Sequence, residues 1–62
     1  MKINTRCKVV SSALVNADRI GYFQFYGAGD KNNEVVLTDH PTTVSNKSGN
    51  YFSVWREEIK EL

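Results

Sequence analysis

The stretch Ile20-Gly21-Tyr22-Phe23-Gln24-Phe25-Tyr26 holds two of the three Phe and two of the three Tyr in the chain. In an extended strand, successive side chains point to opposite faces. Phe23 and Phe25 then lie on one side, with Tyr22, Gln24 and Tyr26 on the other. The Phe pair predicts a core and the Tyr pair predicts a contact surface. Every other segment reads as a partner for this strand.

The chain has 62 residues. A domain of about 60 residues buries only roughly 60% of its unfolded surface, so one domain of modest stability over residues 1–62 is expected. A lone Cys7 forms no intramolecular disulfide, and one Cys with one His makes no zinc site. No metal or cofactor is expected, and the fold must rest on packing assisted by self-association. No apolar run approaches a membrane span, and residues 1–6 lead into no signal-peptide core. The expectation is a soluble, cytoplasmic protein with no membrane partner. Asn46-Lys47-Ser48 matches the glycosylation pattern, which carries no weight without secretion. The net charge is +1. That argues against strong nonspecific nucleic-acid binding and leaves room for a local basic patch.

Along the chain, residues 3–9 alternate as a half-buried strand, with Ile3, Cys7 and Val9 inward and Arg6 and Lys8 outward. Residues 11–18 read as a loop whose Leu14 or Val15 tucks onto the core. Residues 19–26 form the second strand. The Gly- and Asn-rich residues 27–33 form a loop, and the β-branched residues 34–38 form the third strand. Asp39-His40-Pro41 ends it, because proline lacks the ladder donor. Residues 42–45 are a candidate for a further short strand, and residues 46–50 a turn. Residues 51–55 are a strand with Phe52 and Val54 inward and Tyr51, Ser53 and Trp55 outward. A tight turn at residues 56–58 and a closing strand over 59–62 is the preferred ending, with a terminal helical turn as the alternative. The inward set is Ile3, Cys7, Val9, Leu14, Ile20, Phe23, Phe25, Val35, Leu37, Val44, Phe52, Val54 and Ile59. Phe23→Ala and Phe25→Ala are each expected to cost about 3–5 kcal/mol.

An alternating basic first strand, a long loop, a strand opening near Gly21, a Val-Val-Leu strand and an aromatic strand running into Glu-Glu-Ile-Lys-Glu-Leu resemble SH3-like small barrels. The closing run Phe52-Ser53-Val54-Trp55-Arg56-Glu57-Glu58-Ile59 is similar to that of electron-transport accessory subunits. His40-Pro41 resembles a turn of the type II dihydrofolate reductases, and KOW and Tudor-type modules share the general order. The resemblance implies an all-β, five-stranded SH3-like barrel with a short helical turn near the C-terminus. The reductase site uses a Val-Gln-Ile-Tyr run. Here Thr42-Thr43-Val44-Ser45-Asn46 stands after His40-Pro41, so that activity is not carried over.

Catalytic equipment is not expected. His40 reads as a solvated turn residue, because Asp39 beside it points the other way on an extended chain. Cys7 reads as a buried filler, since a reactive thiol needs exposure and positive neighbours. Gly27-Ala28-Gly29 precedes no helix and no Gly-Lys-Ser/Thr, so it is a loop and not a phosphate cradle. Glu57, Glu58 and Glu61 read as a solvated run facing Lys2, Arg6 and Lys8 if the last strand pairs with the first. Tyr22, Tyr26, Tyr51 and Trp55 remain as an outward aromatic patch, with Arg19, Lys31 and Lys47 near it. The expected function is a non-enzymatic module binding a protein partner or itself through these aromatics. Single-stranded nucleic acid stacked on the same face is the alternative, and an oligomeric enzyme with its site on a symmetry axis a remote one.

Overall fold

The computed structural model describes residues 1–10, 16–28 and 33–62. Leu14, Val15 and Lys31, placed above near the core and the aromatic patch, lie outside the described residues. Five strands are present: β1 (Arg6–Val9), β2 (Ile20–Tyr26), β3 (Glu34–Thr38), β4 (Tyr51–Trp55) and β5 (Ile59–Glu61). A 3₁₀ turn, Arg56–Glu58, joins β4 to β5. The strands make one antiparallel sheet in the order β4-β3-β2-β1-β5. The all-β class, the turn near the C-terminus and the pairing of last strand with first are as the sequence indicates. Among the described residues no ladder joins β4 to β5, so these two strands are the ends of the sheet.

The first strand is shorter than expected. Asn4 adopts φ 67°, a left-handed conformation that Asn tolerates better than most residues. The Thr5 amide donates back to the Lys2 carbonyl at 3.0 Å. This turn throws Ile3 into solvent, where the inward set had it in the core. Residues 42–45 form no strand either. Thr43 and Asn46 exchange backbone hydrogen bonds at 2.8 and 3.3 Å, which closes a turn. Val44 at its tip is 96% exposed and contributes nothing to the core.

The core comprises Cys7, Val9, Phe23, Val35, Leu37 and Val54, with Met1, Tyr26, Phe52 and Ile59 packed against it. One irregularity decides which aromatics join it. Phe23 pairs with Leu37 and Phe25 pairs with Val36, so Gln24 is an extra residue in β2. A bulge of this kind shifts the inside–outside alternation by one residue from that point onward. Phe23 is 4% exposed, whereas Phe25 is 52% exposed on the outer face. Tyr26 turns inward and packs its ring 4.9 Å from that of Phe23. The expectation that Phe23 and Phe25 share the core while Tyr26 faces outward is therefore corrected.

Gly21 leaves the space that Phe52 fills. A Cβ at Gly21 would lie 2.7 Å from the Phe52 ring and 2.8 Å from Leu37 Cβ. The Arg19 guanidinium stacks over that ring, 3.7 Å from its centroid.

Truncation should separate the two phenylalanines. Phe23→Ala should cost about 3–5 kcal/mol by urea unfolding, whereas Phe25→Ala should stay within about 1 kcal/mol. Gly21→Ala, which crowds Phe52 and Leu37, should cost about 1–3 kcal/mol in the same measurement.

Candidate functional site

Residues directly opposite on paired strands share a face, so the register lays out the outer face row by row. Trp55 lies beside Glu34. Ser53, Val36 and Phe25 form the next row. Tyr51, Thr38, Tyr22 and Arg6 form the third. Ile20, Lys8 and Lys60 form the last. Trp55 is 57% exposed and Tyr51 48% exposed, while Tyr22 is half-buried. Of the four aromatics picked out from the sequence, Tyr22, Tyr51 and Trp55 thus share a face. Tyr26 does not, and Phe25 takes its place.

Two expected members do other work. The Tyr26 hydroxyl accepts hydrogen bonds from the Met1 amino group at 3.3 Å and from Arg56 Nη1 at 2.7 Å. These two cations, the amino group first, hold its pKa below the usual tyrosine value. Arg19 donates to Asn16 Oδ1 at 3.0 Å and stacks on Phe52, a residue of the core side. It is not part of the aromatic face.

Part of the outer face is covered by a polar circuit built on the bulge residue. Gln24 Nε2 donates to Asn4 Oδ1 at 3.1 Å and to Thr38 Oγ1 at 3.0 Å. Thr42 Oγ1 donates to Gln24 Oε1 at 2.9 Å, and the Thr42 amide donates to Asn4 Oδ1 at 2.9 Å. Asn4 Nδ2 donates to the Thr42 carbonyl at 2.7 Å. The Thr38 hydroxyl donates in turn to the His40 carbonyl at 2.7 Å. Among the described residues no buried side-chain nitrogen or oxygen lacks a partner. Thr38 and Thr42 are buried as a result, and the open part of the face narrows to Phe25, Tyr51, Ser53 and Trp55.

Trp55 stands between two hollows. One, of about 170 Å³, is lined by Glu34, Ser53, Val54, Trp55 and Glu58. The other, of about 120 Å³, is lined by Asn33, Trp55, Arg56 and Glu57. Both fall below the ~300–1,000 Å³ of sites that enclose a small-molecule ligand. Among the described residues no group of three or more His, Cys, Asp or Glu is placed to hold a metal. The Cys7 thiol is buried, and desolvation, with Glu61 nearby, pushes its pKa up, opposite to what a nucleophile needs. His40 is exposed.

The charge layout also departs from expectation. Register sets Lys60 opposite Lys8 and Glu61 opposite Cys7. The closing strand therefore does not neutralise the basic stripe of β1. The ion pair Lys8 does make is with Asp18, at 3.7 Å between exposed groups. Phe25, Val36 and Glu34 were missed as members of the face. The only hint in the sequence was a lone polar Gln24 between two aromatics.

Compared with protein-family models, curated proteins and solved structures, the chain finds no match. Among the described residues no helix is long and apolar enough to cross a membrane.

Gln24→Ala should break the circuit and cost about 1–3 kcal/mol, because Asn4, Thr38 and Thr42 lose a partner together. A pH test reports the far end of the covering loop. Asp39 accepts from the Asn50 amide at 3.1 Å and from its side chain at 3.2 Å. The Asn50 backbone bond is the largest cause holding the Asp39 pKa below 3.8. A depressed folded-state pKa gives stability that is present above the unfolded value and lost as pH falls through the folded one. The stability gap between wild type and Asp39→Asn should therefore shrink below about pH 4, read by chemical unfolding at stepped pH.

Proposed function

We propose that the chain is a small non-enzymatic binding and accessory module, its strands arranged as an SH3-like barrel, that docks on a protein partner. The docking face is the outer side of β2, β3 and β4, with Phe25, Tyr51 and Trp55 as anchors. The observation that carries this reading is that three half-exposed aromatics share one sheet face, in the three successive rows around Val36 and Ser53. Exposed apolar patches mark interaction sites, and Trp and Tyr are enriched among the residues that carry protein-interface affinity.

Electrostatics favours protein over nucleic acid. Glu34 lies directly beside Trp55, and Glu57 and Glu58 line its two hollows. A phosphate backbone tracking past Trp55 would meet these carboxylates. Arg19, one of the three cations expected to assist stacking, is spent on Phe52. The basic residues Arg6, Lys8 and Lys60 lie at the opposite end of the face.

A photo-crosslinking side chain placed at position 55, in the cell that makes the protein, should give protein adducts, and one at Lys60 should give none. Trp55→Ala should then weaken the isolated complex by about 2 kcal/mol or more, roughly thirtyfold. Adducts at position 55 made only with nucleic acid would overturn the reading.

A further inference from the structure

The two ends of the sheet are treated very differently. β5 is three residues long and carries Lys60 and Glu61, the short, charged design by which proteins keep a free edge from pairing. β4 is five residues long and reads Tyr-Phe-Ser-Val-Trp, with no charge and no proline. Its backbone phase follows from its flanks. The Arg56 amide donates to Asn33 at 2.6 Å, and the Asn50 carbonyl accepts from Asp39 at 3.3 Å, so residues 50 and 56 face β3. The β3–β4 register runs without a shift between them. Residues 52 and 54 therefore also bond to β3, while Tyr51, Ser53 and Trp55 turn their amides and carbonyls to the open edge. The Trp55 amide agrees with this phase: it is taken by Glu58 Oε1 at 2.9 Å and not by β3.

We propose that this edge pairs with β4 of a second copy of the chain, antiparallel and about a two-fold axis at Ser53. This rests on reading the aromatic face as a protein contact, and it names the partner. The sequence of β4 is self-complementary in that register. Ser53 meets Ser53, and Tyr51 meets Trp55 on the outer face, once on each side of the axis. Phe52 meets Val54 on the inner face. Edge residues 51, 53 and 55 all direct their backbone groups to this edge, the Trp55 amide being held by Glu58 in the single chain, so the pairing joins two sheets into one continuous sheet. The Ser53 amide and carbonyl, the Tyr51 amide and the Trp55 carbonyl form ladder bonds, and the Tyr51 carbonyl of the second copy takes the place of Glu58 Oε1 on the Trp55 amide. No like charges face each other along the strand, and an isologous contact of this kind closes on itself and does not propagate.

Sedimentation equilibrium over a concentration series up to about 1 mM tests it. Wild type should rise from 7.0 kDa towards twice that mass. Ser53→Lys, which sets two ammonium groups against each other on the axis, should stay at 7.0 kDa with an unchanged circular dichroism spectrum. A second variant, Ser53→Cys with Cys7→Ala, should form a disulfide-linked dimer on mild oxidation. Directly opposed hydrogen-bonded residues lie about 5.5 Å apart at Cα, within disulfide reach. A wild type that stays monomeric overturns the proposal, as does a dimer that Ser53→Lys leaves intact or that Ser53→Cys fails to link. If such a monomer still crosslinks to a different protein through position 55, the pairing fails and the protein-contact reading stands. Crosslinking to nucleic acid alone removes both.

Discussion

The amide of Gln24 holds the layout together. As the extra residue of the β2 bulge it has no ladder partner in β3. Its side chain instead reaches Asn4, Thr38 and Thr42, which belong to three separate segments. A primary amide offers two donors and an acceptor with two lone pairs, so one side chain closes contacts that several apolar residues would be needed to replace. The circuit also explains how a 62-residue chain covers part of its outer face without a second sheet. Polar groups covered there are matched group for group, which is the condition for burying them at little cost.

The same residue sets the limit of what was legible beforehand. Strand propensity gave β2, β3 and β4 with near-correct bounds, because each is rich in β-branched or aromatic residues and flanked by Gly, Asn, Asp or Pro. The tight turn at 56–58 and a closing strand paired with the first were legible from a turn-forming acidic run followed by Ile59. A bulge leaves no periodic trace in one strand, since it is a relation between two strands. Phe25 and Tyr26 were consequently assigned to each other's faces, while Gly21, Tyr22 and Phe23 kept their phase; Ile20, expected inward, lies on the outer face opposite Lys8. Asn4 misled for a related reason. Its left-handed backbone interrupts a run that reads as continuous alternation from Ile3 to Val9.

Charge on the outer face is divided across its width. Arg6, Lys8 and Lys60 occupy the β1–β5 end, with Lys8 and Lys60 directly opposed. Glu34, Glu57 and Glu58 line the hollows beside Trp55 at the β3–β4 end, with Arg56 the one cation among them. A net charge of +1 conceals this separation. Long-range attraction of a polyanion would favour the basic end, but the exposed stacking surfaces lie at the acidic end. A protein partner, with uncharged and basic groups to set against Phe25, Tyr51 and Trp55, meets no such conflict.

Size and edge chemistry bear on each other. A domain this small has little stability in reserve, and its core is a single cluster of mostly Val, Leu and Phe. Putting a charge into β4 would protect its edge, as Lys60 and Glu61 do in β5. The inner face of β4 is not free for that, since Val54 is buried and Phe52 fills the space over Gly21. On the outer face, only Tyr51, Ser53 and Trp55 are available, and two of the three are large aromatics. An unprotected strand edge bordered by aromatics is a liability for a monomer, because it pairs with any exposed strand. Self-pairing with one defined register resolves that liability and removes apolar surface from water in the same step.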